Sequence, residues 1–203
     1  MKSHLLQILA IDGVRSVVGL SRAEPHLMRT LRTCLREGLI TVIRPGLRPT
    51  GYSRREIPTD VATLTLAGRA EAEQCWGRSA PAVSLTREVE HRMGVGELRT
   101  RLRVRPDAWT SAVELHAASL AAATGNGGRR LPDGLADVDG MRLALEYDHG
   151  RYTAAQVRLK QEAFTRIADD AVWAAPTSRR AQWLWRLGCE HVLIVPLPLG
   201  VWE

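Results

Sequence analysis

The chain has few of the features that define membrane or disulfide-bonded proteins. No stretch approaches the roughly 18 consecutive apolar residues that a membrane-spanning helix requires, and the acidic Asp12 interrupts the N-terminus too early for a signal peptide. The three cysteines are odd in number, far apart and in no metal-binding spacing. We therefore expect a cytoplasmic protein with reduced thiols and no membrane partner.

Lysine is almost missing. Of the 28 basic residues only Lys2 and Lys160 are lysines, so a position that keeps a lysine is informative. The net charge of +6 is also uneven, because residues 1–80 carry 12 basic against seven acidic residues and the remainder carries 16 against 15. A basic N-terminal part predicts an anionic partner, most commonly nucleic acid, and ordinary surface charge is the alternative.

Three short helices are predicted at the N-terminus. The first ends at Asp12-Gly13, and residues 14–19 form the second. The segment Ser21-Arg22-Ala23-Glu24 has the spacing of a capping box and predicts the start of the third helix, which stops at Gly38. The buried stripe of that helix is predicted to consist of Leu27, Leu31, Cys34 and Leu35.

The opposite face of the third helix is basic. Its members are His26, Arg29, Thr30, Arg32, Thr33 and Arg36. An apolar face backed by an arginine-rich face, entered through a tight turn, is what insertion into the major groove of DNA requires. We therefore expect Arg29 and Arg32 to face base edges and Arg36 to contribute to DNA binding.

A basic hairpin is predicted to follow. Residues 39–43 and 61–66 form its strands, and the polar segment between them contains Arg48, Arg54 and Arg55, which would lie on phosphates. Helices and hairpin together indicate a winged helix-turn-helix domain in residues 1–78 that binds double-stranded DNA. A three-helix protein-interaction module is the alternative.

The middle of the chain is less regular. Residues 77–81 are interpreted as a joint, so the second domain is expected to cover residues 82–203. Apolar residues at helical spacing predict a helix that ends near Gly94 and Gly96, with another helix after it. Residues 111–124 fit either a helix or a buried strand.

The C-terminal part alternates strands and helices. Strand, helix, strand, helix and strand are predicted at residues 141–147, 153–168, 171–175, 178–187 and 191–196. This order indicates an α/β sheet with crossover helices, so the chain as a whole is expected to be of the mixed α+β or α/β class.

Two carboxylates stand out in this domain. Asp133 comes just before a hairpin with a turn at Asp139-Gly140, and Glu146 lies near the end of the returning strand. On neighbouring strands they would share one hard divalent cation, Mg²⁺ or Mn²⁺, beside a charge-stabilising lysine. Lys160 lies on an otherwise apolar helix face, and its alternatives are a site residue or a lysine at the edge of the stripe.

Pro132-Asp133 followed by Glu146-Tyr147-Asp148 resembles the PD…(D/E)xK pattern of restriction-type nucleases. After a winged helix it resembles the replication-relaxation family of plasmids and mobile elements. Further matches are His91 with Val95 and Leu98, Trp109 with Glu114, Leu145–Gly150, and the Lys160 helix. The resemblance implies a PD-(D/E)XK nuclease-like domain in which Asp133, Glu146 and Lys160 are catalytic and Asp133 and Glu146 bind the metal. Asp148 is either a third metal ligand or an ordinary residue at the end of the strand.

The pattern departs from the family at one position, because Asp148 stands where the motif has its lysine. The lysine is therefore expected from the following helix, as Lys160, and the activity of the domain is left open. The expected function is DNA binding in replication, relaxation or its control, with metal-dependent DNA cleavage and a homodimer as open alternatives. The rivals are a transcriptional regulator with an inactive nuclease-like domain used for oligomerisation, and a nuclease of defence or repair.

Overall fold

A computed structural model of the chain describes residues 1–43, 48–50, 53–55, 59–77, 80, 88–121 and 130–198. The chain divides into two compact units, Met1–Gly96 and Glu97–Pro196, and the C-terminal residues Leu197 and Pro198 belong to the first. The expected joint at residues 77–81 is therefore not where the units divide. The reason is packing, because Val89 and Met93 share a buried cluster with Val14 and Val61.

The first unit combines four helices with two small antiparallel sheets in its described residues. One sheet has the order β1-β5-β2, and the other pairs β3 with β4 so that Arg48 lies opposite Arg55. The elements are α1 (Lys2–Asp12), β1 (Val14–Ser16), α2 (Val17–Ala23), α3 (Leu27–Arg36), β2 (Ile40–Ile43), β3 (Arg48–Thr50), β4 (Ser53–Arg55), β5 (Val61–Leu64) and α4 (Leu66–Trp76).

The helix ends of this unit follow from local chemistry. Gly13 ends α1 with a φ of +75°, and Gly38 follows α3 with a φ of +69°, a region that glycine enters without steric cost. Ser16 caps α2, because its hydroxyl accepts a hydrogen bond from the Gly19 N–H. The predicted stops at Gly13 and Gly38 are thus confirmed.

Three expectations for this unit are wrong. Residues 14–16 form a strand instead of a helix, because they pair with β5 and place Val14 opposite Thr63. Ser21 does not cap α3, since its hydroxyl donates to the Val18 carbonyl within α2 and α3 begins only at Leu27. Thr30, assigned to the basic face, is instead buried.

The second unit is built on one five-stranded mixed sheet of order β10-β9-β8-β7-β6. The β6–β7 and β7–β8 pairs are antiparallel, whereas the β8–β9 and β9–β10 pairs are parallel. The elements are β6 (Trp109–Ser111), α6 (Ala112–Ala121), β7 (Gly134–Val138), β8 (Met141–Tyr147), α7 (Ala154–Phe164), β9 (Asp170–Ala175), α8 (Ser178–Arg186) and β10 (His191–Ile194). The predicted alternation of strands and helices is confirmed.

Helix α5 (Val89–Arg101) contains the division between the units and continues through Gly94 and Gly96. The predicted stop at these glycines is wrong. A Cβ atom at Gly96 would lie 2.8 Å from Cδ of Arg15, so this glycine permits a close approach of a buried side chain and does not end the helix. Within the described residues, no helix is both long and apolar enough to cross a membrane.

Crossover helices shape the core of the second unit. Val157 and Phe164 of α7 and Leu184 of α8 pack with Ala144 and Trp173 of the sheet. The β7–β8 hairpin closes through the predicted Asp139-Gly140 turn, whose two residues both have positive φ. Ala144 and Glu146 are two residues apart, so both lie on the face of β8 that contacts α7.

Candidate functional site

Asp133 is fixed at the start of the β7–β8 hairpin. Gly134 pairs with Leu145, so Asp133 is the position that comes opposite Glu146. One oxygen of its carboxylate, Oδ2, accepts a 2.8 Å hydrogen bond from the backbone N–H of Tyr147. The acid is thereby tied to the backbone of the strand that carries Glu146.

Glycine is required directly after Asp133. A Cβ atom at Gly134 would lie 2.1 Å from the nearest ring carbon of Trp109, which packs against the start of β7. The Pro132-Asp133-Gly134 segment thus combines an acid with the small residue that admits the Trp109 ring.

Glu146 is completely buried, and both of its carboxylate oxygens have donors. The Lys160 ammonium lies 2.9 Å from Oε2, and the Tyr152 hydroxyl donates to Oε1 at 2.6 Å. The same ammonium donates to the Leu131 carbonyl at 2.8 Å. A capping box between Thr153 and Gln156 begins the helix that carries Lys160.

Opposing effects act on the pKa of Glu146 in this cluster. Burial raises the pKa of Glu146 to about 7, and the nearby negative charge of Asp133 adds to the effect, while Lys160 and the Tyr152 hydroxyl act in the other direction. Burial and the charges of Glu146 and Asp133 also raise the pKa of Tyr152 well above its usual range. Tyr152 is therefore a hydrogen-bond donor at neutral pH.

Asp148 has a different environment from the other two acids. Arg180 of α8 contacts its Oδ2 through both Nε and Nη2, at 2.7 and 2.6 Å, and the Gly150 N–H donates to Oδ1 at 2.7 Å. The guanidinium also donates to the Tyr152 carbonyl and stacks on the Trp183 ring at 3.6 Å. The carboxylate predicted as a third metal ligand instead holds the loop between β8 and α7.

A pocket of about 550 Å³ opens beside the acidic cluster. Asp133, Lys160 and Tyr152 line it together with Ala112, Val113, His116, Leu131, Pro132 and Gln156. Glu146 has no exposed surface, whereas both of its donors reach the pocket wall. The pocket therefore gives a ligand access to Asp133 and Lys160 first.

The donor set suits a hard divalent cation. Asp133 and Glu146 supply carboxylate oxygens, and their mutual repulsion is what a cation would relieve. Within the part of the chain that the structure describes, no group of three or more His, Cys, Asp or Glu side chains is arranged to hold a metal ion. A cation here would depend on two protein carboxylates and water, as Mg²⁺ often does.

The basic face of α3 is accessible. Arg29, Arg32 and Arg36 are exposed, while Leu27, Leu31 and Cys34 are buried on the opposite side. The strands of the predicted hairpin correspond to β2 and β5, which pair antiparallel, and the segment between them contains a further antiparallel pair, β3 with β4. The side chains of Arg48, Arg54 and Arg55 lie outside the described residues.

Sequence reasoning missed Tyr152, which belongs to the cluster, and Arg180, which contacts Asp148. Tyr152 lies one position before the Thr153 cap, a signal that places it at the mouth of α7, and Arg180 lies in the first turn of α8. The carboxylate of Glu114, which the sequence pairs with Trp109, accepts hydrogen bonds from the backbone N–H and hydroxyl of Ser111.

Comparison with known proteins identifies no relative: no family model matches the chain, and no curated protein or solved structure is significantly similar to it.

Proposed function

We propose that the chain is a DNA-binding protein in which a winged helix-turn-helix precedes a PD-(D/E)XK nuclease-like domain. It would act in replication, DNA relaxation or their control on a plasmid or mobile element. The observation that carries the proposal is the meeting of Asp133, Glu146 and Lys160, the two carboxylates and the lysine that such a nuclease site requires. The exposed arginines of α3 supply a surface for double-stranded DNA.

Each residue of the site would have a separate role. Asp133 and Glu146 would hold Mg²⁺ or Mn²⁺, which supplies Lewis-acid polarisation of the scissile phosphate when bound. Lys160 carries a positive charge to the pocket wall, where it would stabilise negative charge developing on the phosphate. Tyr152 keeps Glu146 oriented through its short hydrogen bond, and Arg180 keeps Tyr152 in place.

A second candidate is a regulator whose nuclease-like domain is inactive and serves oligomerisation. One observation favours it, since Glu146 is fully buried and both of its oxygens already have donors from Lys160 and Tyr152. A cation would reach this carboxylate only if the pocket wall rearranged.

Nicking of a supercoiled plasmid in Mg²⁺ or Mn²⁺ separates the two candidates. The decisive variant is Asp133→Asn, which removes the charge but keeps an oxygen that accepts the Tyr147 N–H. The matched control is Asp137→Asn, an exposed acid on the same hairpin that pairs with Arg142. The nuclease predicts cation-dependent nicking that Asp133→Asn abolishes and Asp137→Asn retains.

Thermal melts of the same proteins give an independent measurement. A bound cation would raise the melting temperature of the wild type and of Asp137→Asn, but not of Asp133→Asn. Sequence-selective DNA binding with neither nicking nor a cation-induced rise would contradict the nuclease and support the regulator.

A further inference from the structure

The pocket beside Asp133 and Lys160 has walls of two chemical kinds. Four of its lining residues are apolar, namely Ala112, Val113, Leu131 and Pro132. The polar members other than Asp133 and Lys160 are His116, Tyr152 and Gln156. Apolar walls combined with a few placed polar groups are typical of pockets that bind small organic groups.

The charge of the pocket does not suit the phosphate backbone of an intact duplex. Its lining includes one acid, Asp133, and one lysine, Lys160. Surfaces that follow a DNA backbone instead present many cations. The apolar residues of the pocket would therefore contact a part of the nucleic acid that carries no charge.

We infer that the pocket receives one unpaired nucleobase, so that the site acts on DNA that contains an unpaired nucleotide. This rests on the proposed function and narrows its substrate. A base in a duplex must be unpaired and unstacked before it can enter a concave pocket, whereas an unpaired base leaves the stack at less cost. The Gln156 side-chain NH₂ group offers a donor, since its oxygen accepts from the Thr153 N–H, and the His116 imidazole offers a donor and an acceptor to the edge of the base.

Binding of three DNAs to the full chain tests this inference. They are an intact duplex, the same duplex with a one-nucleotide bulge, and the same bulge lacking its base. Fluorescence anisotropy with EDTA present keeps cleavage out of the measurement. Because the two bulges share backbone flexibility, a difference between them reports the base, and we expect about tenfold tighter binding of the complete bulge.

Two variants on α6 locate the effect. Val113→Trp fills the pocket from a residue that is already 37% exposed, and Leu120→Trp adds the same ring at an exposed position of α6 outside the pocket. Val113→Trp should remove the preference for the complete bulge without changing affinity for the duplex. Leu120→Trp should keep the preference.

The possible outcomes are distinct. Equal affinity of the wild type for the two bulges, with normal binding of the duplex, overturns the inference and leaves the proposed function standing. A preference that survives in Val113→Trp overturns the assignment to this pocket. No binding of any of the three DNAs overturns the proposed function and the inference with it.

Discussion

Lys160 and Glu146 form a buried ion pair, with 2.9 Å between Nζ and Oε2, although 14 positions separate them in the sequence. The residue two positions after Glu146 is Asp148, so β8 itself supplies no lysine. Helix α7 brings the ammonium to the carboxylate instead. The Lys160 ammonium thus lies at the acidic hairpin, although this lysine does not have the usual sequence spacing of the motif.

Lys160→Met should destabilise the protein by about 3 kcal/mol at pH 8, because it leaves a fully buried carboxylate without its cation. The loss should be smaller at pH 5, where Glu146 takes up a proton. Urea unfolding at pH 8 and at pH 5 measures this loss of stability. The control is Lys2→Met, which removes the other lysine of the chain from half-exposed contacts with Glu37 and Glu71 and should change stability little. Equal losses of stability in Lys160→Met and Lys2→Met would show that the Lys160–Glu146 ion pair does not stabilise the fold.

Glu146 should also make stability depend on pH. Its folded-state pKa of about 7 lies above the ordinary 4.5, so the folded protein holds this proton more tightly than the unfolded chain does. The resulting stabilisation is complete below pH 4.5 and is lost as the pH rises through 7. The difference corresponds to about 3 kcal/mol.

Comparing unfolding free energies of the wild type and Glu146→Gln from pH 4 to 8 isolates this contribution, since the amide cannot titrate. We expect the decline between pH 5 and 7 to be shallower in the variant. Glu162→Gln, at an exposed position of α7, should leave the wild-type profile unchanged. Parallel profiles of the wild type and Glu146→Gln would show that the carboxyl does not titrate in this range.

The arginines of α3 and of the hairpin should have different effects on DNA binding. Arg29→Ala and Arg32→Ala should relax sequence preference, because a bidentate hydrogen bond to a base edge supplies about 1–3 kcal/mol of discrimination. Arg54→Ala and Arg55→Ala should weaken all sequences alike and reduce the slope of affinity against salt by about one. Arg158→Ala, an exposed position of α7, should change neither. A change of preference from Arg54→Ala but not from Arg29→Ala would make the assignment of α3 wrong.

Arg180→Lys should destabilise the protein by about 2 kcal/mol. A lysine cannot reproduce the planar fork that contacts the buried Asp148 carboxylate and the Tyr152 carbonyl together. It also loses the stacking on Trp183, so the tryptophan fluorescence should change. Arg179→Lys is the matched control, because the adjacent residue is exposed. If both substitutions shift the urea midpoint equally, the contacts of Arg180 with Asp148 and the Tyr152 carbonyl do not stabilise the fold.

Sequence predicted the second unit better than the first because its elements have strong local signals. The alternation of β8 and the Thr153 cap of α7 do not depend on distant residues. Strand β1 depends on pairing with β5 almost fifty residues away, and local pattern cannot reveal that. Gly96 was interpreted as a helix stop, although its role is to admit Arg15.

The same distinction applies within the site. Asp133, Glu146 and Lys160 were expected together, and the structure does bring them together, because a short hairpin and the next helix determine their positions. Arg180 could not be predicted, since it reaches Asp148 across 32 residues through α8. Asp148 was consequently interpreted as a metal ligand when its carboxylate holds a loop.

The acidic cluster is local in the chain, because the groups that hold Glu146 and Asp133 all lie between Leu131 and Lys160. Short loops cost little closure entropy, and contacts of low sequence separation form quickly. The hydrogen bonds that Asp133 and Glu146 accept join residues 14 positions apart or fewer, whereas those that the Arg180 guanidinium donates span 32 and 28 positions. The hairpin and α7 can therefore assemble the acids and their lysine early in folding, and α8 secures the loop between them afterwards.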